Sequence, residues 1–417
     1  MKSIFKLLSL LLLLLMVNLA VVLLRYYREE GTVETPLESA PSQLSHSPPE
    51  SITLTFAGDL MAHSVNFRMA DFSDIYREMI PAIEAGDLAF INLETPVVES
   101  MDYATFPRFN VHREYVQAAV DAGFDIFALA NNHSSDQGPK GVLATLKTMK
   151  ELREENREKR PHFTFSGLKG HERSPLVPTS IKVGPWSLGF ISLTSFINVW
   201  NGHELVYLID YYRNDQVKEE LLSFIRSIDP LYDILIIAVH DGQEYKHQPL
   251  SRKELFFQEI AEAGAEVVWG HHSHVLQPWK RLNLPENREA VILHSMGNFI
   301  SGQIWNIDPE SLENERNATG DSSLISITFE KAAPARESLR ISSIEPYLAF
   351  NYRDPKKGMI VRPYQKILGD EAVPEVWKDF YRDRAEQLAW FTDPKGAPQG
   401  AAEESAAEGA EAIESFE

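Results

Sequence analysis

Cysteine is absent from the chain. That excludes a disulfide framework, thiolate catalysis and an anchor built on a lipidated N-terminal cysteine. Basic residues are scarce: 40 Lys and Arg stand against 60 Asp and Glu, a formal net charge of −20. This balance disfavours nonspecific attachment to nucleic acid, and no nucleic-acid partner is expected. No internal repeat of fixed period is present, which argues against a solenoid or a propeller. The sequence also lacks a base-recognition motif.

What the chain does have is core material. Its 417 residues are 44% hydrophobic and 24% charged, as in a globular protein of one large or a few ordinary domains. One long uncharged run, Leu7 to Leu24, is mostly Leu, Val and Met. Its 18 residues reach about the minimum for a helix that crosses a bilayer. Asn18-Leu19-Ala20 is a poor cleavage site. Residues 1–30 are therefore expected to be an uncleaved signal anchor, with a cleaved signal peptide as the competing reading. The body would then lie outside the cytoplasm, periplasmic or extracellular, on a single-pass cell-membrane protein. Residues 31–50 are rich in Pro, Ser, Thr and Glu and predict a disordered tether. At the other end, residues 396–417 hold six Glu and no Lys or Arg and predict an acidic disordered tail.

Between these ends, strand and helix patterns alternate, which argues an α/β fold. Strands are expected at Ser51 to Ala57, Leu88 to Leu93, Phe124 to Ala130, Trp186 to Thr194, Ile234 to Val239, Val267 to Trp269 and Ala290 to Leu293, with later, more antiparallel ones at Leu324 to Phe329 and Leu339 to Tyr347. Helical spacing marks Asp74 to Ala85, Glu114 to Ala122, Gly138 to Asn156, Asp215 to Ile228, Ser251 to Ala263 and Glu375 to Phe391.

Six of the strands run into polar residues able to hold a metal. The clusters are Gly58-Asp59 with His63; Asn92-Leu93-Glu94; Asn131-Asn132-His133 with Asp136; His240-Asp241-Gly242-Gln243-Glu244; Gly270-His271-His272-Ser273-His274; and His294-Ser295-Met296-Gly297-Asn298. Singly, each is better read as a turn or a satisfied core histidine. In open α/β sheets, however, ligands bind beyond the carboxyl ends of strands, so six such clusters converge on one site. Imidazole suits zinc or iron and carboxylate suits manganese or magnesium, so one or two divalent ions (Mn, Zn or Fe) are expected. His46, His112, His162, His171, His203 and His247 fall outside the clusters and read as surface or structural residues.

The ordered set Thr55-Phe56-Ala57-Gly58-Asp59, Asn92-Leu93-Glu94-Thr95-Pro96, Asn131-Asn132-His133, His240 to Tyr245, Gly270 to His274 and Ser295 to Phe299 resembles the CapA-like poly-γ-glutamate synthesis proteins. Those are similar to calcineurin-like metallophosphoesterases. The resemblance spans Ser51 to Gly302 and implies a four-layer αββα two-sheet sandwich. It implies a metallophosphoesterase-type domain over 51–353, followed by a C-terminal extension, 354–395, packed on it. Asp59 and His274 would bind a first metal, Glu94 would bridge, and Asn132, His240 and His272 would bind a second. His133 would be the general acid. His63, Asp241, Glu244 and Asn298 are expected at the substrate-binding rim. Two departures stand out: Met61 occupies the place of a usual metal-binding His, and Asp241 that of a usual Trp. The implied function is metal-dependent hydrolysis or transfer in the synthesis, export or anchoring of an anionic extracellular polymer, in company with capsule-synthesis subunits. The alternative is a non-catalytic protein that binds or tethers the polymer.

Overall fold

The computed structural model describes residues 50–310, 315–331 and 338–393. The expected anchor, most of the tether and the acidic tail lie outside the described residues.

Two sheets form the body. The first runs, edge to edge, β14 (Gly358–Pro363), β13 (Arg340–Asp354), β12 (Asp321–Lys331), β1 (Glu50–Leu60), β2 (Leu88–Leu93), β3 (Ile126–Ala128) and β4 (Thr164–Ser166), with β11 (Asn298–Ile300) pairing alongside β1. The second runs β5 (Thr179–Val183), β6 (Trp186–Thr194), β7 (Ile234–His240), β8 (Val267–His271), β10 (Glu289–Leu293) and β9 (Trp279–Asn283). The strands β1 to β4 are mutually parallel, as are β6, β7, β8 and β10. Antiparallel strands flank both parallel blocks.

The period-2 alternation of β-strands explains how the sheets stack. Ile234, Ile236 and Ala238 of β7 join the core shared with the first sheet, while Leu235, Ile237 and Val239 face a separate core. That second core includes Leu221, Leu222 and Ile225 of the helix Asp215–Ile228 and Phe256, Phe257 and Ile260 of the helix Ser251–Ala263. Between the sheets, Phe90 of β2 meets Phe190 of β6 edge-on at 5.8 Å, and the Trp269 indole N–H donates to the Ala57 carbonyl at 3.0 Å. The helices Arg113–Asp121 and Gly138–Glu155 bury Tyr115, Val116, Met149 and Leu152 in the core that holds the first sheet. Two stacked sheets with packed helices make an α/β sandwich.

Three expectations change. The helix expected over 74–85 is instead a 3₁₀ turn, Phe72–Ile75, and a short helix, Ile80–Ile83. Pro81 has no N–H and its ring opposes a preceding helical turn, so the pattern breaks there. The extension expected from 354 begins inside the β13–β14 hairpin, and β14 is an edge strand of the first sheet. Finally, among the described residues no helix is long and apolar enough to cross a membrane. This corrects the expected single-pass membrane location: the described fold supplies no span, and the run on which the expectation rested lies outside it.

Candidate metal centre

Parallel strands deliver the site from one end. Asp59 is the penultimate residue of β1, Glu94 follows β2, His240 closes β7, His271 closes β8, and His272 to His274 follow it. Gly58 makes the convergence possible: a Cβ there would lie 2.0 Å from the Gly297 carbonyl oxygen, where β11 crosses close to β1. The Asp59 N–H donates to that same oxygen at 2.9 Å.

Asp59 is fully buried, and its Oδ1 accepts from Asn92 Nδ2 and His271 Nδ1, both at 2.8 Å. Burial raises its pKa, but the hydrogen bonds of His271 and His274 outweigh that and hold the carboxyl well below its usual range. Glu94 is equally buried, yet neither of its carboxylate oxygens has a hydrogen-bond donor. Burial first, then the charges of Asp59 and Glu244, push its pKa well above the ordinary value. Around it, His240 Nε2 lies 3.7 Å and His274 Nε2 3.8 Å from Oε1. His240 Nε2 is also 3.2 Å from His272 Nδ1. Burial holds His240, His271 and His272 below the ordinary imidazole pKa, so they are neutral.

These atoms form two groups with Glu94 in common: Glu94, His240 and His272 on one side, Asp59, Glu94 and His274 on the other. Within each group the donor atoms lie within 4.8 Å of one another. A buried carboxylate without a hydrogen-bond donor is costly unless a cation neutralises it. The residues therefore fit a divalent ion, and Glu94 is common to both groups. Asn132, 2% exposed, has a buried carbonyl oxygen without a hydrogen-bond partner.

The other predicted residues divide. His133 Nδ1–H donates to Asp136 Oδ2 at 2.7 Å, since a carboxylate can only accept. Its Nε2 faces Asn198 Nδ2 at 3.5 Å. Phe109 packs edge-on against its ring at 4.7 Å. His63 is held out of the metal groups: its Nδ1 accepts from the Gly302 N–H at 3.1 Å, and burial, then the charges of His274 and His133, lower its pKa to about 3. Asn298 is no rim residue. It is fully buried, and its Oδ1 meets His274 Nδ1 at 3.0 Å.

Asp241 is the clear correction. Its carboxylate accepts from the hydroxyls of Tyr211 at 2.7 Å, Tyr212 at 3.1 Å and Ser195. Alternation along β7 explains this: His240 follows Ala238 toward the first sheet, and Asp241 follows Val239 toward the helix-covered side that holds Tyr211. The site also recruits Asn92 and His271, which the sequence placed in the clusters without assigning either a role. His271 has the parity of Trp269 in β8, and both side chains reach β1 between the sheets.

Residues 53–303 match the sequence model of the family described as "Bacterial capsule synthesis protein PGA_cap". The chain belongs to this family. Among curated proteins similar to it, "Capsule biosynthesis protein CapA" of Bacillus anthracis is 27% identical over 281 residues, 64% of this chain and 64% of that protein. "PGA biosynthesis protein CapA" of Bacillus subtilis (strain 168) is 23% identical over 343 residues, 78% of this chain and 83% of that protein. The chain thus spans just under two thirds of the anthracis relative, at 64%. A solved structure, a hypothetical protein from Thermus thermophilus, aligns over 72% of this chain and 99% of its own at 18% identity, with a TM-score of 0.37. That score is too low to bear on function.

Within the PGA_cap span, the departure at position 61 has a structural counterpart. Met61 is 2% exposed, and its carbonyl accepts from the Tyr115 hydroxyl at 2.6 Å. The Asp59 side of the centre therefore has three metal-capable groups, Asp59, Glu94 and His274.

Proposed function

We propose that this family member performs metal-dependent hydrolysis or transfer on an anionic polymer of the poly-γ-glutamate type, or on its phosphorylated or amide-linked precursor. The observation that carries the reading is Glu94, a fully buried carboxylate without a donor, shared by two imidazole-bearing groups. The name of the subtilis relative supports the polymer class. A bound pair of dications would activate water, polarise the scissile bond and locally invert the potential of this acidic protein toward an anionic substrate.

The chain's own residues supply the rest. Asp136 fixes the His133 tautomer with the proton on Nδ1, so Nε2 is the atom that exchanges a proton with a leaving group. The Phe109 N–H donates to the same Asp136 oxygen at 2.8 Å, holding the carboxylate in place. Asn92 ties Asp59 to His240, from its Nδ2 to Oδ1 at 2.8 Å and to Nδ1 at 3.4 Å, so the two sides of the centre share one brace.

The test uses the full chain, stripped and reloaded with manganese, zinc or iron, and assayed for shortening or transfer of γ-glutamyl polymer and for phosphoester release. His133→Asn is expected to lower kcat by about 10²–10⁴-fold with KM little changed. Full turnover in that variant removes His133 as the acid. A metal-loaded protein that binds polymer but never turns it over favours the tethering role, a reading that the missing donor at Met61 already supports.

A further inference from the structure

We propose that Glu244 is a cation ligand, a third carboxylate that supplies the donor missing at position 61. This rests on the metal-centre reading above and assigns Glu244 to the ions rather than to substrate.

Glu244 lies in the loop between β7 and the helix Ser251–Ala263, and its side chain is 43% exposed. Even so, its Oε1 is 4.0 Å from His274 Nε2. It forms a group with His272 and His274 whose donor atoms lie within 4.8 Å of one another. The loop is fastened to the segment that carries those imidazoles. The Tyr245 N–H donates to the Ser273 carbonyl at 2.8 Å, and Gln277 Nε2 donates to the Lys246 carbonyl at 2.8 Å. Tyr245, His272 and His274 all have positive φ, at 64°, 86° and 58°. Three non-glycine residues in the left-handed region beside one point is a costly backbone arrangement, of the kind kept at ligand clamps.

The orientation of His274 sharpens the point. Asn298 Nδ2 donates to the Gln303 Oε1 at 2.9 Å and to the Thr319 carbonyl at 3.0 Å, so the Asn298 oxygen is the atom turned to His274 Nδ1. A carbonyl oxygen only accepts, so Nδ1 of His274 carries a proton and Nε2 is the nitrogen left to meet an ion. That nitrogen lies 3.8 Å from Glu94 Oε1 and 4.0 Å from Glu244 Oε1. Ligands about 2.0–2.2 Å from one ion lie roughly 3–4 Å apart, which is the spacing of both carboxylates from His274 Nε2. Independently, the buried and unpartnered oxygens of Glu94 aim at the same space.

The donor set also predicts a preference. His274 belongs both to the group with Asp59 and Glu94 and to the group with Glu244 and His272, so an ion held at His274 gains a further carboxylate from Glu244, a harder set suited to manganese. Glu94, His240 and His272 are richer in nitrogen and suit zinc or iron. The full-length metal-free chain is titrated with manganese by calorimetry and by the electron paramagnetic resonance of the ion. Loss of an outer supporting residue costs about 10–100-fold in affinity, so Glu244→Gln, which removes a ligand, is expected to weaken one manganese equivalent by about 100-fold or more. The melting temperature of the metal-free protein should not change. Glu244→Asp retains the charge but shortens the reach; weakened uptake there identifies direct ligation, and wild-type uptake overturns it in favour of a charge acting through space. Glu244→Gln that binds manganese like the wild type overturns the ligand role and leaves the metal centre standing. A wild-type chain that takes up no manganese, zinc or iron overturns both.

Discussion

Asn298 touches no substrate in this arrangement, yet it decides which nitrogen of His274 is available. Its amide N–H groups are committed to Gln303 and Thr319, so its oxygen must hold the His274 Nδ1 proton. Asn298→Ala should free the ring to rotate and to change tautomer. The expected result is a fall of about 10–100-fold in metal affinity, read by calorimetry, with the far-ultraviolet circular dichroism unchanged. The same residue scale shows what the sequence could reveal. Asp59, Glu94, His240, His272 and His274 were legible because each sits at or just past a strand end, where side chains of different strands meet. The roles of Asn92, His271, Asp241 and Asn298 were not. They depend on which face of a strand looks inward, and a one-residue step reverses that face. His240 and Asp241 are adjacent in the chain and point to different cores for that reason alone.

The elements bring these residues together only if β1 and β11 approach closely. At Gly58 the approach is so tight that a Cβ would meet the Gly297 oxygen at 2.0 Å and the Met296 oxygen at 2.8 Å, both backbone atoms with no rotamer to yield. Gly58→Ala must therefore part the two strands and lengthen the bond from the Asp59 N–H to Gly297. Overpacking of this kind costs typically about 1–3 kcal/mol. Urea unfolding should show a lower midpoint, and metal uptake should fall with it because Asp59 moves. Unchanged values for both would mean that the crossing is looser than the backbone geometry indicates. The parallel strands β1, β2, β3, β6, β7, β8 and β10 were readable from their apolar runs. The strands β4, β5, β9, β11 and β14 were not, since each is short and none carries an apolar run long enough to stand out from a loop. The break at Pro81 was written in the sequence, but the apolar spacing around it outweighed it.

Across the whole molecule, burying so many imidazoles makes stability depend on acid in a calculable way. His294 is 2% exposed; its Nδ1–H donates to the Pro278 carbonyl at 2.6 Å, and burial lowers its pKa to about 3. His63 is lowered to about 3 for the same first reason. Between about pH 3 and 6.5 the unfolded chain binds a proton at each of these positions and the folded chain does not. Stability must then rise with pH across that window and is lost as pH falls through it, by up to about 1.4 kcal/mol per pH unit for each imidazole. In the metal-free protein Glu94 acts in the opposite sense: its raised pKa means the folded chain holds a proton the unfolded one has released, and stability declines as pH rises above about 4.5. The net slope of the wild type therefore mixes both signs, and a single-residue difference is needed to separate them. His294→Asn keeps an N–H for the Pro278 carbonyl and removes the titrating ring. Between pH 4.5 and 6 its free energy of unfolding should depend on pH less steeply than that of the wild type, by about 1.4 kcal/mol per unit. Parallel curves for the two proteins would show that the folded chain accommodates a protonated His294, and that the stack of this ring on Phe257, at 5.9 Å, opens readily to water.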